Sequence, residues 1–241
     1  MNIVFLGTSH GVSEKGRFRT SMLVRTQAGS YFIDLGAPIG TLLKNYAIPF
    51  EEVKAAFITH MHADHALSLI EYMECCNREK EERVLYLPEE EDIVSAENWM
   101  YTLHGEELYA RGKCLLKYVK DGLFYNDGNV QISAIPTHHL KRGKSFAYIF
   151  CAEGKRVLFT GDLSDSFEDY PEIAMSEHFD AVVCELTHFD VESAMDKLNK
   201  TKTKKIIFNH IRDDKVVLLD NNREKIDFAY HLANDGDIIE I

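Results

Sequence analysis

The sequence predicts a layered α/β protein in which two β-sheets lie face to face with helices outside them. Short apolar runs of strand character outnumber segments with helical spacing, they fall into two groups along the chain, and each group is followed by helices. The 241 residues, 45% of them hydrophobic, suffice for a sizeable core, and no linker or low-complexity stretch interrupts them. Residues 1–241 are therefore expected to form one domain.

The elements follow in order. "NIVFLG", residues 2 to 7, is an apolar run ending in glycine, and "SMLVRT" and "SYFIDLG" continue as strands. "IGTLLKNYAI" has helical spacing, "VKAAFITH" is a short buried strand, and "ALSLIEYMECCNREKEE" returns to helical spacing with a charged tail. "RVLYLP" is a strand stopped by Pro88, and the acidic start of "EEEDIVSAENWMYTLHG" opens a helix that ends near Gly105. On that helix Trp99, Met100, Tyr101 and Leu103 are expected to pack in the core, with a substrate-lining wall as the alternative.

The second half repeats the pattern. "NVQISAIPTHH" is a strand, "SFAYIFCAEGKRVLFTGD" a hairpin turning at Glu153-Gly154, and "FDAVVCELTHF" and "TKKIIFNH" are buried strands. "KIDFAYHLANDGDIIEI" reads as a helix, a turn and a closing strand.

Charge and composition exclude some functions. A net charge of −12 opposes broad attraction to nucleic acid, whose binding depends on neutralising phosphates, so no strong nucleic-acid affinity is expected. The lysines from Asn199 to Lys205 fit a solvated helix end or turn. No apolar run is long enough to span a membrane and the start lacks the pattern of a secretory signal, so a cytoplasmic protein is expected. Five cysteines without a C-x-x-C pair read as reduced thiols.

The chemistry concentrates at a strand-to-helix junction. His60, His62, Asp64 and His65 form H-x-H-x-D-H. Side chains two apart in extended chain point the same way, so His60 and His62 can converge on one metal ion while Asp64 and His65 face a second position. Three further apolar strands end in potential ligands, at His138-His139, Asp162 and His210. Strand ends of this kind converge in a layered fold.

These residues, with Asp34 in "FIDLG", resemble the metallo-β-lactamase superfamily over nearly the whole chain. The resemblance implies an αββα sandwich holding two divalent metal ions. One ion would be held by His60, His62, the histidine after "IPT" and Asp162, and the other by Asp64, His65, Asp162 and His210, with Asp162 bridging. The family's "PTxH" spacing favours His139 over His138, and Asp34 resembles its buried aspartate that orients a ligand or the metal loop. Histidine and carboxylate donors suit Zn2+, with Mn2+ or iron open.

The opening "FLGTSHG" and Ser21 resemble ribonuclease Z and the phosphonate-pathway cyclic phosphodiesterases. A glycine-bounded loop with hydroxyls can bring backbone N–H groups to a phosphate, which makes Ser9 and His10 candidate substrate-binding residues; an ordinary tight turn is the plain alternative. "CELTHFD" resembles a strand end of ribonuclease Z but inserts His188, a candidate general acid or a surface histidine. The chain lacks room after Asp162 for a basic tRNA-gripping arm, and "HIRDD" replaces the usual "HIS".

The expected function is thus a dinuclear metal phosphodiesterase acting on a small or nucleotide-type phosphodiester, with Asp64 and His188 as catalytic residues. Carboxyl-ester, lactone or thioester hydrolysis, tRNA 3′ processing and a non-catalytic metal sensor are the alternatives. The resemblance leaves a homodimer open.

Overall fold

The computed structural model describes the backbone of residues 1–109 and 113–241, and the side chains of all of these except 106–109. Two seven-stranded sheets make its centre. The first contains β1 (Asn2–Gly7), β2 (Ser21–Thr26), β3 (Gly29–Leu35), β4 (Val53–Phe57), β5 (Arg83–Leu87) and β6 (Cys114–Tyr118) in that order, and the last strand of the chain, β14 (Ile238–Glu240), lies beside β1. The second runs β7 (Gly122–Asn126), β8 (Val130–Thr137), β9 (Ser145–Ala152), β10 (Lys155–Phe159), β11 (Ala181–Leu186), β12 (Ile206–Ile211) and β13 (Tyr230–Leu232). Both sheets share one plan. Three antiparallel pairings are followed by three parallel ones, β3 to β6 in the first sheet and β10 to β13 in the second.

The side-chain period of two sorts each strand between layers. On β1, Ile3 and Phe5 join the core between the sheets, where they meet Phe57, Phe146, Tyr148, Phe150 and Phe159. Val4 and Leu6 turn outward into a second core under α1 (Ile39–Asn45), α2 (Ala63–Ala66), α3 (Leu69–Arg78) and α4 (Glu90–Tyr109). Leu158, Val182, Leu186 and Phe208 face the other way, into a third core beneath α5 (Ile173–Ser176), α6 (Val191–Asn199) and α7 (Asp213–Asn221). With both faces covered, central strands read as continuous apolar runs rather than alternating ones. The expected αββα layering is borne out.

Several local expectations need correction. The segment read as a helix from Lys225 contains a short 3-10 turn and then β13, because Tyr230 and Leu232 pair with Ile206 and Phe208 of β12. Strands β6 and β7 went unread, and the single helix expected after the metal loop is two, α2 and α3. The expected break at Gly105 is real: its φ of 65° interrupts α4, although helix resumes to Tyr109. On that helix Met100 is buried, but Trp99, Tyr101 and Leu103 are exposed. Among the described residues no helix is long and apolar enough to cross a membrane, and the five cysteines are free thiols.

Candidate metal centre

The carboxyl ends of β3, β4, β8, β10, β11 and β12 meet at one edge of the sandwich, and every metal-ligand candidate from the sequence lies there. Asp34, near the end of β3, adopts a left-handed φ of 62°, a conformation that aspartate tolerates better than most residues. Its buried carboxylate accepts the Thr59 N–H at 2.8 Å and the Thr59 hydroxyl at 3.0 Å, fixing the chain just before His60. The His65 Nδ1–H donates to the other oxygen at 2.8 Å. Gly36 lets this brace sit close to the metal loop, since a Cβ there would lie 1.8 Å from the Asp64 carbonyl oxygen.

Hydrogen bonds on the far side of each ring select the tautomer. His65 donates from Nδ1, which leaves its Nε2 to take up a metal ion or a proton, and that atom faces Asp162 Oδ1 at 3.2 Å. His60 Nδ1 lies 3.2 Å from the Thr59 hydroxyl, and His139 Nδ1–H donates to the Leu163 carbonyl at 3.1 Å. Their Nε2 atoms converge on His62 Nδ1 at 3.0 and 3.1 Å, and both lie 3.6 Å from Asp162 Oδ2.

A second set adjoins the first. His210, on β12 with a left-handed φ of 50°, points Nε2 at Asp64 Oδ2, 3.0 Å away, and at Asp162 Oδ2, 3.5 Å away. His65 Nε2 is 3.7 Å from Asp64 Oδ2. Three groups of donors thus lie close enough to hold an ion: His60, His62, His139 and Asp162, then Asp64, His65, Asp162 and His210, and an overlapping third of Asp162, Glu185, His188 and His210. The first two, which match the sets the sequence implies, share Asp162.

Both sets fit a divalent cation. Ligand bonds of about 2.0–2.1 Å at tetrahedral angles put neighbouring donor atoms about 3.3 Å apart, which the separations above bracket. Lone pairs that face one another, or face a carboxylate oxygen, repel unless a positive charge lies between them. His65 Nε2 and Asp162 Oδ1 are buried without any hydrogen-bond partner, the condition in which an ion is the natural third party.

The electrostatics agree. Burial opposes charge on Asp162, but the surrounding His210, His65 and His60 outweigh it and hold its carboxyl well below the usual range. Burial likewise opposes a charged His65, yet Asp162 and Asp34 raise it well above an ordinary histidine. The cavity stabilises positive charge.

It is His139 that turns toward the centre, whereas His138 is exposed and gives its backbone N–H to Asp169 at 2.7 Å. His188 sits against both sets, its ring centre 4.5 Å from that of His139 and 5.3 Å from that of His210. Its Nδ1–H donates to Glu185 Oε2 at 2.9 Å. Burial lowers its pKa, but that bond and the charges of Glu185 and Asp162 prevail and push it up to about 9. Glu185 also accepts the Leu163 N–H at 2.7 Å, tying β11 to the loop beside His139.

His10 lies at the edge of the site, its ring centre 6.4 Å from that of His210 and its Nε2 3.1 Å from Glu14. Ser9 departs from the role expected of it. Its side chain is fully buried and its Oγ accepts the Glu14 N–H at 2.7 Å, so the hydroxyl braces the loop instead of facing a ligand. Sequence reasoning missed Thr59, whose position directly before the histidine cluster was the available signal, and Asp169, for which no local signal exists.

The fold is that of metallo-β-lactamase proteins. The metallo-β-lactamase fold protein YhfI from Bacillus subtilis superposes with a TM-score of 0.76 at 17% identity, covering 99% of each chain. Human tRNase Z, short form, gives 0.75 at 18% identity, covering 100% of this chain and 99% of its own. Within that fold, the sequence profile of the anti-Pycsar protein Apyc1 family matches residues 1–231, and the chain belongs to that family. A ribonuclease Z from Picosynechococcus sp. is 29% identical over 154 residues, 61% of this chain and 46% of that protein. The chain spans about half the length of the ribonuclease Z relatives it matches.

Proposed function

We propose that this protein is a dinuclear metal hydrolase that cleaves a small or nucleotide-type phosphodiester. The observation that carries the reading is Asp162, a buried carboxylate shared by two four-residue ligand sets. A single structural ion would need only one closed set. Two divalent cations there, Zn2+ by the donor chemistry, would supply Lewis acidity toward a phosphoryl oxygen and activation of water at neutral pH.

The chain's own groups complete the chemistry. Asp64 and Asp162 orient the attacking water. His188, held by its bond to Glu185, hands a proton to the leaving oxygen, and Glu185 keeps the ring aimed. An anionic substrate is favoured over a neutral ester by the loop after His139. There Lys141, Arg142 and Lys144 are exposed, with no hydrogen-bond or ionic partner among the described residues, in a chain of net charge −12.

The test pairs metal content by elemental mass spectrometry with hydrolysis of bis-p-nitrophenyl phosphate, for wild type and Asp64→Ala. About two metals per chain, and turnover lost in the variant, are expected. Metal without diester turnover would redirect the reading to lactones and thioesters, and absence of metal would end it.

A further inference from the structure

Between Asp162 and α5 the chain makes a tight turn, Ser164 to Tyr170, that the proposed mechanism leaves unused. Its middle residue, Phe167, is fully buried yet holds a left-handed φ of 57°, an unfavourable conformation for a bulky side chain. The surroundings enforce it. The ring packs against Phe189 and Tyr170 at centroid distances of 4.3 and 4.7 Å, and Lys197 of α6 donates to the carbonyls of Phe167 and Glu168 at 2.8 and 3.1 Å.

The product of this turn is the aim of Asp169. Its Oδ1 accepts the Ser164 N–H at 3.0 Å and the Ser164 hydroxyl at 2.7 Å. Its Oδ2 accepts the His138 N–H at 2.7 Å, from a strand end 31 residues away in sequence. One carboxylate therefore ties the residue before His139 to the residue two beyond Asp162. Closing the turn needs only the Ser164 contacts; the bond to His138 adds a fixed distance between two strand ends.

We propose that Asp169 is a positioning residue for the first ligand set, fixing the 3.6 Å approach of His139 Nε2 to Asp162 Oδ2 and with it the affinity of that set for a divalent cation. The inference rests on the two-metal reading above. It is selective, because His65 of the second set is braced by Asp34, and Asp169 touches neither.

The experiment is stepwise zinc binding to the full chain in competition with a chromophoric chelator, with thermal melting of the metal-free protein in parallel. His139→Ala and His210→Ala mark which binding step belongs to which set. Asp169→Ala is expected to weaken the step that His139→Ala abolishes by about tenfold or more, while the step that His210→Ala abolishes changes by less than about twofold. Asp169→Asn, which keeps an oxygen for one N–H, falls between, and the metal-free melting temperature barely moves. Equal weakening of both steps together with a lower metal-free melting temperature would make Asp169 merely structural and overturn the proposal, as would no weakening at all. If the wild-type chain binds no zinc, the two-metal reading falls as well; if it binds two ions and Asp169→Ala leaves them unchanged, only the role of Asp169 falls.

Discussion

Asp34 and His65 are 31 residues apart in the chain and 2.8 Å apart in space, joined by a buried hydrogen bond from imidazole Nδ1 to carboxylate. The bond settles which ring nitrogen faces the centre. Asp34→Asn keeps the side-chain shape and tolerates the left-handed backbone, but it removes the charge and can place an N–H against His65. Zinc affinity at the second set should fall by about 10- to 100-fold, read by chelator competition. Unchanged affinity would mean that His65 needs no such partner.

The proton-donor role of His188 makes a leaving-group prediction. His188→Gln should slow cleavage of a diester with a poorly acidic alkoxide leaving group by about 10²- to 10⁴-fold. Bis-p-nitrophenyl phosphate, whose leaving group departs without a proton, should lose far less. Equal losses on both substrates would assign His188 to binding or structure.

Removing metal should be visible in stability. Without cations, lone pairs and carboxylate oxygens face one another inside a buried cleft. Zinc should raise the melting temperature progressively with concentration, and a chelator should reverse the rise. A melting temperature indifferent to both would contradict the fit of the ligand sets.

Tyr148 links the second sheet to the metal loop, its buried hydroxyl donating to the Ile58 carbonyl at 2.6 Å. Tyr148→Phe leaves that carbonyl unpaired and should cost about 1–2 kcal/mol. For a chain of this size each kcal/mol corresponds to about 2–4 °C in Tm, within reach of differential scanning calorimetry.

A pH-dependent contribution comes from Asp127, remote from the ligands. Burial raises its pKa, but hydrogen bonds from Tyr31, Val130, Asn129 and Tyr125 prevail and lower it. A depressed carboxylate stabilises the fold above the unfolded-state value near pH 4, and that contribution is lost as pH falls through the lower folded value. Asp127→Asn should therefore cost about 1 kcal/mol at pH 7, discounted for the exposure of the side chain, and progressively less below pH 4 in urea melts.

The centre was legible because metal ligands are restricted to few residue types and because His60 to His65 are contiguous. Other parts depended on contacts between distant residues. His138 and His139 are neighbours that the residues alone do not distinguish; the family spacing favours His139, and the hydrogen bonds to Asp169 and Leu163 give the two their separate orientations. Strand β13 resembles a helix locally, but pairing with β12 overrides its spacing. Trp99 carries the mark of a core residue yet lies on the open face of α4. The buried hydroxyl of Ser9 shows the same limit, since a loop motif does not reveal which way its side chains turn.

The division of the two ligand sets between the halves of the chain has a consequence for biogenesis. The first set takes His60 and His62 from the loop after β4, the second takes Asp64 and His65 from α2, and strand ends of the second sheet complete each, so neither of these two sets is complete within one half. As the chain leaves the ribosome, the histidine cluster emerges long before Asp162 and His210, and on its own it offers only half of each set. Completing either of these two sets must wait until both sheets have docked, so a centre loaded at both certifies a finished protein.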